Sequence, residues 1–148
     1  MPRLEFSHVH SYDSRLEGIT VPLVLKSAGK TADLLAQVDT GASNCLFERE
    51  HGEILSLDVE AGDPKTFATA AGRIDAFGHV VELEVLGQRF ESMVYFFADD
   101  RIQKNLLGRV GWLDRVRWEW SIMTICFTSQ RTTSKPIEEG DGRRRSDG

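Results

Sequence analysis

The chain has 148 residues, 41% hydrophobic and 28% charged, with a formal net charge of −5; it is long enough for one domain with one sizeable core, and its composition excludes a disordered chain. The negative balance argues against nucleic acid or anionic lipid as a general partner, and no apolar run reaches the roughly 18 residues of a membrane helix. With no charged-then-apolar leader and only two cysteines, Cys45 and Cys126, the expectation is a soluble, cytoplasmic protein with buried thiols, not a disulfide framework.

His8-Val9-His10 places two imidazoles on one strand face, but no third ligand is suggested nearby and no metal is expected. Ile19–Lys26 is rich in β-branched and aliphatic residues and reads as a strand, with Pro22 marking an edge or a bulge. Ser27-Ala28-Gly29-Lys30 supplies a turn into a second strand, Ala32–Val38. Glu48–Leu57 carries a short helical signal. Phe67–Ala76 and Phe77–Leu86 read as strands around Gly72 and Gly78; Val81, Leu83 and Val85 alternate with Glu82 and Glu84 as in a half-buried strand. Leu86–Arg89 predicts a hairpin turn, Phe90–Phe97 another strand, Arg109–Arg117 a second helix and Ser121–Thr128 a last strand. Trp112, Trp118 and Trp120 read as core or interface anchors. Residues 1–128 are therefore expected to form the domain. Residues 129–148, with Ile137 as their one aliphatic, are expected to be a polar tail in which Arg143–Arg145 are balanced by nearby acids. Taken together, these elements predict a small β-barrel with two helical insertions.

The stretch that carries chemistry is Leu34-Leu35-Ala36-Gln37-Val38-Asp39-Thr40-Gly41-Ala42-Ser43, a strand that breaks at a glycine-containing turn. Such a turn lifts one carboxylate off a strand end, within reach of backbone N–H groups and the Thr40 hydroxyl. Asp and Gly are also ordinary turn residues, so the tripeptide alone is a weak signal. Asn105-Leu106-Leu107-Gly108-Arg109, far downstream, places two aliphatics directly before a glycine.

Together these segments resemble the retropepsin-like aspartic proteases, the retroviral-type family whose single-domain chains act as homodimers. The resemblance runs from about Ile19 to Phe127. It implies an all-β acid-protease barrel with a flap hairpin and one or two short helices. Thr69-Ala70-Ala71-Gly72 fits the flap tip, Leu106-Leu107-Gly108 the motif packed against the active-site loop, and Arg109 the start of the following helix. It also implies catalysis by Asp39 with Thr40 and Gly41, Thr40 bonding across the dimer axis. Ala42 and Ser43, with the flap residues, would line a channel for a peptide or protein substrate. Many retroviral members carry an acid at the Ser43 position, paired with the arginine matching Arg109; Ser43 is neutral, so that pair does not form here.

Peptide hydrolysis by carboxylates needs two of them. In aspartic proteases as a class, like charges about 3 Å apart share one proton, so one member activates water while the other donates to the carbonyl. This chain has one Asp-Thr-Gly and no second Asp-Thr-Gly or Asp-Ser-Gly. The resemblance therefore requires a two-fold homodimer, and no cofactor. The competing expectation is a non-catalytic dimeric β-barrel that binds peptide or protein partners and keeps the loop as structure. Cys45, in an apolar Cys-Leu-Phe run, reads as a buried thiol, and no phosphate-binding loop, dinucleotide fingerprint or Gly-x-Ser-x-Gly elbow is present.

Overall fold

The computed structural model describes residues 8–121 and 124–129. Its strands are β1 (His8–Ser11), β2 (Ile19–Ser27), β3 (Lys30–Val38), β4 (Leu46–Phe47), β5 (Asp63–Thr69), β6 (Gly72–Val85), β7 (Gln88–Phe97), β8 (Leu106–Leu107), β9 (Val116–Ser121) and β10 (Thr124–Ser129). One α-helix, α1 (Arg49–Ile54), and two 3-10 turns, Val59–Ala61 and Leu113–Arg115, interrupt them. A seven-stranded sheet runs β2-β3-β8-β4-β7-β6-β5, and a further β2–β6 pairing closes it into a barrel. β5 is left outside the closure, paired only to β6, which makes the β5–β6 hairpin a flap. β1, β10 and β9 form a separate three-stranded sheet. Among the described residues no helix is long and apolar enough to cross a membrane.

The side-chain period of two fills the barrel. Val21, Leu23 and Leu25 of β2, Val81, Leu83 and Val85 of β6, and Val94 and Phe96 of β7 all point into one cluster with Phe47, Leu107 and Trp112. The β2–β3 and β6–β7 hairpins both turn on two residues. Ala28 and Gly29 have φ of 46° and 78°, and Leu86 and Gly87 have φ of 49° and 83°. Positive φ at both central positions matches the twist of the flanking strands, which is why a glycine serves each turn. β6 pairs with β2 only from Leu23 to Lys26. Pro22, which has no N–H to donate, therefore lies just beyond that ladder, at the edge the sequence suggested.

Four sequence expectations need correction. The helix over Glu48–Leu57 is shortened to α1, because Ser56 turns left-handed at φ 59°. No helix forms over Arg109–Arg117. Gly111 adopts φ 105° with the Ser92 hydroxyl at 2.6 Å from where a Cβ would stand, and Trp112, Leu113 and Val116 are drawn into the core. Only the 3-10 turn at Leu113–Arg115 remains, and β9 starts at Val116. Gly78 does not divide two strands: β6 runs through it, since a Cβ there would stand 2.9 Å from the Tyr95 ring and 3.0 Å from Met93 Sδ. The break falls earlier, at Ala70-Ala71. The final strand, expected over Ser121–Thr128, divides into β9 and β10.

His8 and His10 are half-buried; His8 Nδ1 lies 3.2 Å from Gln88 Nε2 and His10 Nε2 lies 3.1 Å from the Thr20 carbonyl. Apart from Ser129, which ends β10, the 129–148 tail with Arg143–Arg145 lies outside the described residues, as do the side chains of Trp118, Trp120 and Cys126.

Candidate active site

β3 delivers Asp39 directly after Val38, at the point where the strand leaves the sheet. The Gly41 and Ala42 N–H groups donate to Asp39 Oδ1 at 2.9 and 3.3 Å, and the Ala42 N–H also lies 3.2 Å from the Asp39 carbonyl. One carboxylate oxygen is thus fixed by backbone, while Oδ2 accepts no hydrogen bond from the described residues. A Cβ on Gly41 would stand 3.2 Å from Oδ1, so glycine keeps that oxygen uncrowded. The exposed Thr40 hydroxyl takes no part in this arrangement; the two N–H groups hold the carboxylate without it.

β8 fixes the loop from behind. It pairs in parallel with β3 (Gln37↔Leu106, Val38↔Leu107) and antiparallel with β4 (Leu46↔Leu106). The Asp39 N–H donates to the Leu107 carbonyl at 3.0 Å, and the Arg109 and Val110 N–H groups donate to the carbonyls of Ala42 and Ser43, each at 2.9 Å. Gly108 sits where these two segments cross. A Cβ there would collide with the Asn44 backbone and stand 2.9 Å from the Ala42 carbonyl oxygen. This is the physical reason that two aliphatics precede a glycine: Leu107 is fully buried, and the next residue admits no side chain.

The flap closes over the other side. Thr69 and Gly72 pair in register, the Thr69 hydroxyl donates to the Gly72 carbonyl at 2.9 Å, and the Ala71 N–H donates to that hydroxyl at 3.2 Å. Gly72 carries the tip's positive φ, 126°, while Ala70 and Ala71 keep negative values. Between flap and loop lies a cleft of about 450 Å³ lined by Asp39, Thr69, Ala70, Ala71 and Leu106 among others. Its floor is a second apolar cluster, distinct from the barrel core, in which Leu46, Ala76 and Phe97 pack with Phe67, Ile74 and Ile102. Among the described residues lining the cleft, Asp39 is the one carboxylate.

Of the residues singled out from sequence, the structure brings Asp39, Thr69–Ala71 and Leu106 to one cleft, with Gly72 completing the flap turn. Leu107, Gly108 and the Arg109 backbone buttress the loop; Thr40, Gly41, Ala42 and Ser43 lie along the loop itself. The Ser43 hydroxyl donates to Asn44 Oδ1 at 3.2 Å, and the Arg109 side chain forms no ion pair among the described residues. The sequence reading missed the cleft walls. Phe67 and Ile74 are cross-strand partners on an otherwise exposed hairpin, a pairing that register alone could have flagged.

The segment spanning both the Asp39 loop and the Leu106–Gly108 strand matches a known family. Residues 23–109 fit the family model described as aspartyl protease. The chain belongs to the aspartyl protease family. The retropepsin-like aspartic protease from Rickettsia conorii has the same fold, with a TM-score of 0.59 at 18% identity over 80% of this chain and 96% of that one. The EIAV protease complexed with the inhibitor HBY-793 is similar at a TM-score of 0.49 and 19% identity, covering 63% of this chain and 83% of that chain. No curated protein sequence matches the chain significantly. The strand topology and the fold shared with the Rickettsia conorii protein establish the expected class, an all-β retropepsin-like barrel with a flap, and the family and fold support proteolysis in general.

Two other candidates are set apart from the cleft. Cys45 is fully buried, its thiol 3.8 Å from the Val110 carbonyl, and burial pushes its pKa up to about 12, so it is no nucleophile at neutral pH. Glu48, Glu50 and His51 gather at the start of α1 with ligand-type atoms within 4.8 Å of one another. Glu48 is already engaged by Asn105, whose Nδ2 donates to its Oε1 at 3.1 Å.

Proposed function

We propose that the chain is an aspartic endopeptidase whose active site is completed by a second copy, Asp39 from each subunit meeting at a two-fold axis. The observation that carries this reading is the Asp39 carboxylate itself. It is set under a flap, fixed at one oxygen and unbonded at the other, and is the sole carboxylate among the described residues lining an apolar cleft. A lone carboxylate is either base or acid, never both at once, and amide hydrolysis needs both. Two of them sharing one proton supply the pair.

The ionised member takes a proton from water as the water oxygen bonds to the scissile carbonyl carbon. The carbonyl oxygen takes the proton of the other member. The C–N bond then breaks, its electron pair leaving with nitrogen, which is protonated by the member that had accepted the water proton. As the carbonyl reforms, a hydroxyl of the tetrahedral intermediate returns its proton to the other member, which restores the shared-proton pair. The backbone N–H groups of Gly41 and Ala42 hold the carboxylate in place through these changes, and the Leu106–Gly108 segment holds the loop. The apolar floor suits extended substrate with hydrophobic side chains near the scissile bond.

Asp39→Asn tests the assignment. Asparagine keeps the shape and the Oδ1 acceptor but supplies neither a base nor a shared proton. Cleavage of a diverse peptide pool by the wild type, absent in the folded variant, is the expected result. Equal cleavage by both proteins would remove Asp39 from the chemistry.

A further inference from the structure

Besides Asp39 itself, the one charged residue among those lining the largely apolar cleft is Lys104. Lys104 is exposed and forms no ion pair or hydrogen bond among the described residues. Arg101, nearby in sequence, is differently placed: it is bound by Asp99 through two hydrogen bonds at 2.9 and 2.8 Å, whereas Lys104 has no such partner among the described residues. Lys104 also borders a shallow groove containing Glu17 and Glu48. Glu48 is turned toward Asn105 and His51, and neither acid pairs with the lysine. The backbone beneath Lys104 is held on both sides. Asn105 receives the Gln37 N–H at 2.8 Å and bonds Glu48 through its side chain, and Ile102 packs into the cleft floor. A lysine stem lies along apolar surface while its ammonium stays at the rim, so the cation is presented to whatever fills the cleft.

We infer that Lys104 is a specificity-determining residue that selects substrates carrying an Asp or Glu side chain close to the scissile bond. This rests on the proposed protease reading. In the two-fold site each half contributes one Lys104, so the preference applies on both sides of the bond. A bound peptide excludes water from the cleft, and a carboxylate brought beside the ammonium then forms a charge-assisted hydrogen bond that a neutral amide cannot match. Acidic side chains are thus admitted into a site whose floor is hydrophobic and whose catalytic pair carries negative charge.

The test uses matched peptides with hydrophobic residues at the scissile bond, flanked by Glu, Gln or Lys, against the wild type, Lys104→Met and Lys104→Glu. kcat/KM is measured for cleavage, and binding of the same peptides is measured by fluorescence anisotropy on the Asp39→Asn background. The wild type is expected to prefer Glu over Gln peptides by about tenfold, roughly 1.4 kcal/mol, with the preference weakened by salt. Lys104→Met should abolish the preference while still taking the Gln peptide. Lys104→Glu should reverse it toward the Lys peptide, a reversal that a merely structural role would not produce. A wild type that handles Glu and Gln peptides equally, or a preference that survives Lys104→Met, overturns the inference. If no peptide is cleaved but binding shows the charge reversal, the specificity assignment stands and the protease reading fails.

Discussion

Gly108→Ala probes the crossing on which the catalytic loop rests. Glycine-to-alanine changes at ordinary φ usually stabilise by about 0.4–1 kcal/mol, because the unfolded chain loses freedom, and Gly108 is not among the positive-φ glycines. The new Cβ, however, would meet the backbone of Asn44 and the Ala42 carbonyl oxygen, not the movable end of a side chain. Relief requires the 42–44 chain to shift, against the Arg109–Ala42 and Val110–Ser43 hydrogen bonds. Overpacking of this kind costs about 1–3 kcal/mol, and the two strained backbone hydrogen bonds add about 1 kcal/mol each if lost. The net expectation is destabilisation by about 2–4 kcal/mol, with loss of most peptidase activity in the remaining folded protein, since Asp39 is displaced with its loop. Gly29→Ala is the control. It has open space around the new Cβ but φ 78°, so it should cost about 1–2 kcal/mol in strain and leave activity unchanged. Urea denaturation gives the stabilities and peptide cleavage the activities. A Gly108→Ala protein as stable and as active as the wild type would refute the close-packed crossing.

Leu107→Ala, at a fully buried position in β8, should lower stability by about 2–5 kcal/mol in the same denaturation assay. Gly72→Ala forces alanine to φ 126° at the flap; the strain of about 1–3 kcal/mol should lower the unfolding midpoint and, because it sits at the flap tip, reduce kcat/KM as well, unlike Gly29→Ala. Cys45 should resist alkylation at pH 8 in the native protein and react once unfolded, as read by peptide mass mapping, because burial raises its pKa to about 12. Burial, with like charge from Glu50, raises the Glu48 pKa while His51 opposes it. A raised carboxyl pKa means that the folded state holds the proton longer, so stability falls as pH rises from the unfolded value through the folded one. Glu48→Gln should remove that slope in a pH series of unfolding midpoints, and a slope that persists would assign it elsewhere.

Local signals were legible and long-range ones were not. The Ala28-Gly29 and Leu86-Gly87 turns, the alternation in β6 and the Asp39 turn are set within a few residues, and sequence spacing located each of them. The helix expected over Arg109–Arg117 failed because its fate is decided by Ser92, which lies behind Gly111, and by the pull of the core on Trp112 and Val116. Gly78 reads as a breaker in one dimension, but it is a contact site for Tyr95 and Met93 in three. The Leu106-Leu107-Gly108 motif was visible, yet its steric cause, the Asn44 backbone, was not. The cleft walls come from β4, β5, β6, β7 and the segment before β8, and no single stretch of sequence announces a surface assembled that way.

The central claim, that each site needs two Asp39 carboxylates, is tested most directly by mixing. Wild type is held at a fixed concentration at which it dimerises, and Asp39→Asn is added and allowed to exchange. A mixed dimer carries one carboxylate and is inactive, so at equal amounts about a quarter of the dimers are fully wild type, and activity per wild-type chain falls to about half. Further variant drives it toward zero. Activity per wild-type chain that does not change as Asp39→Asn is added, with chain exchange verified by mass spectrometry, would mean that one Asp39 suffices and the paired site is wrong.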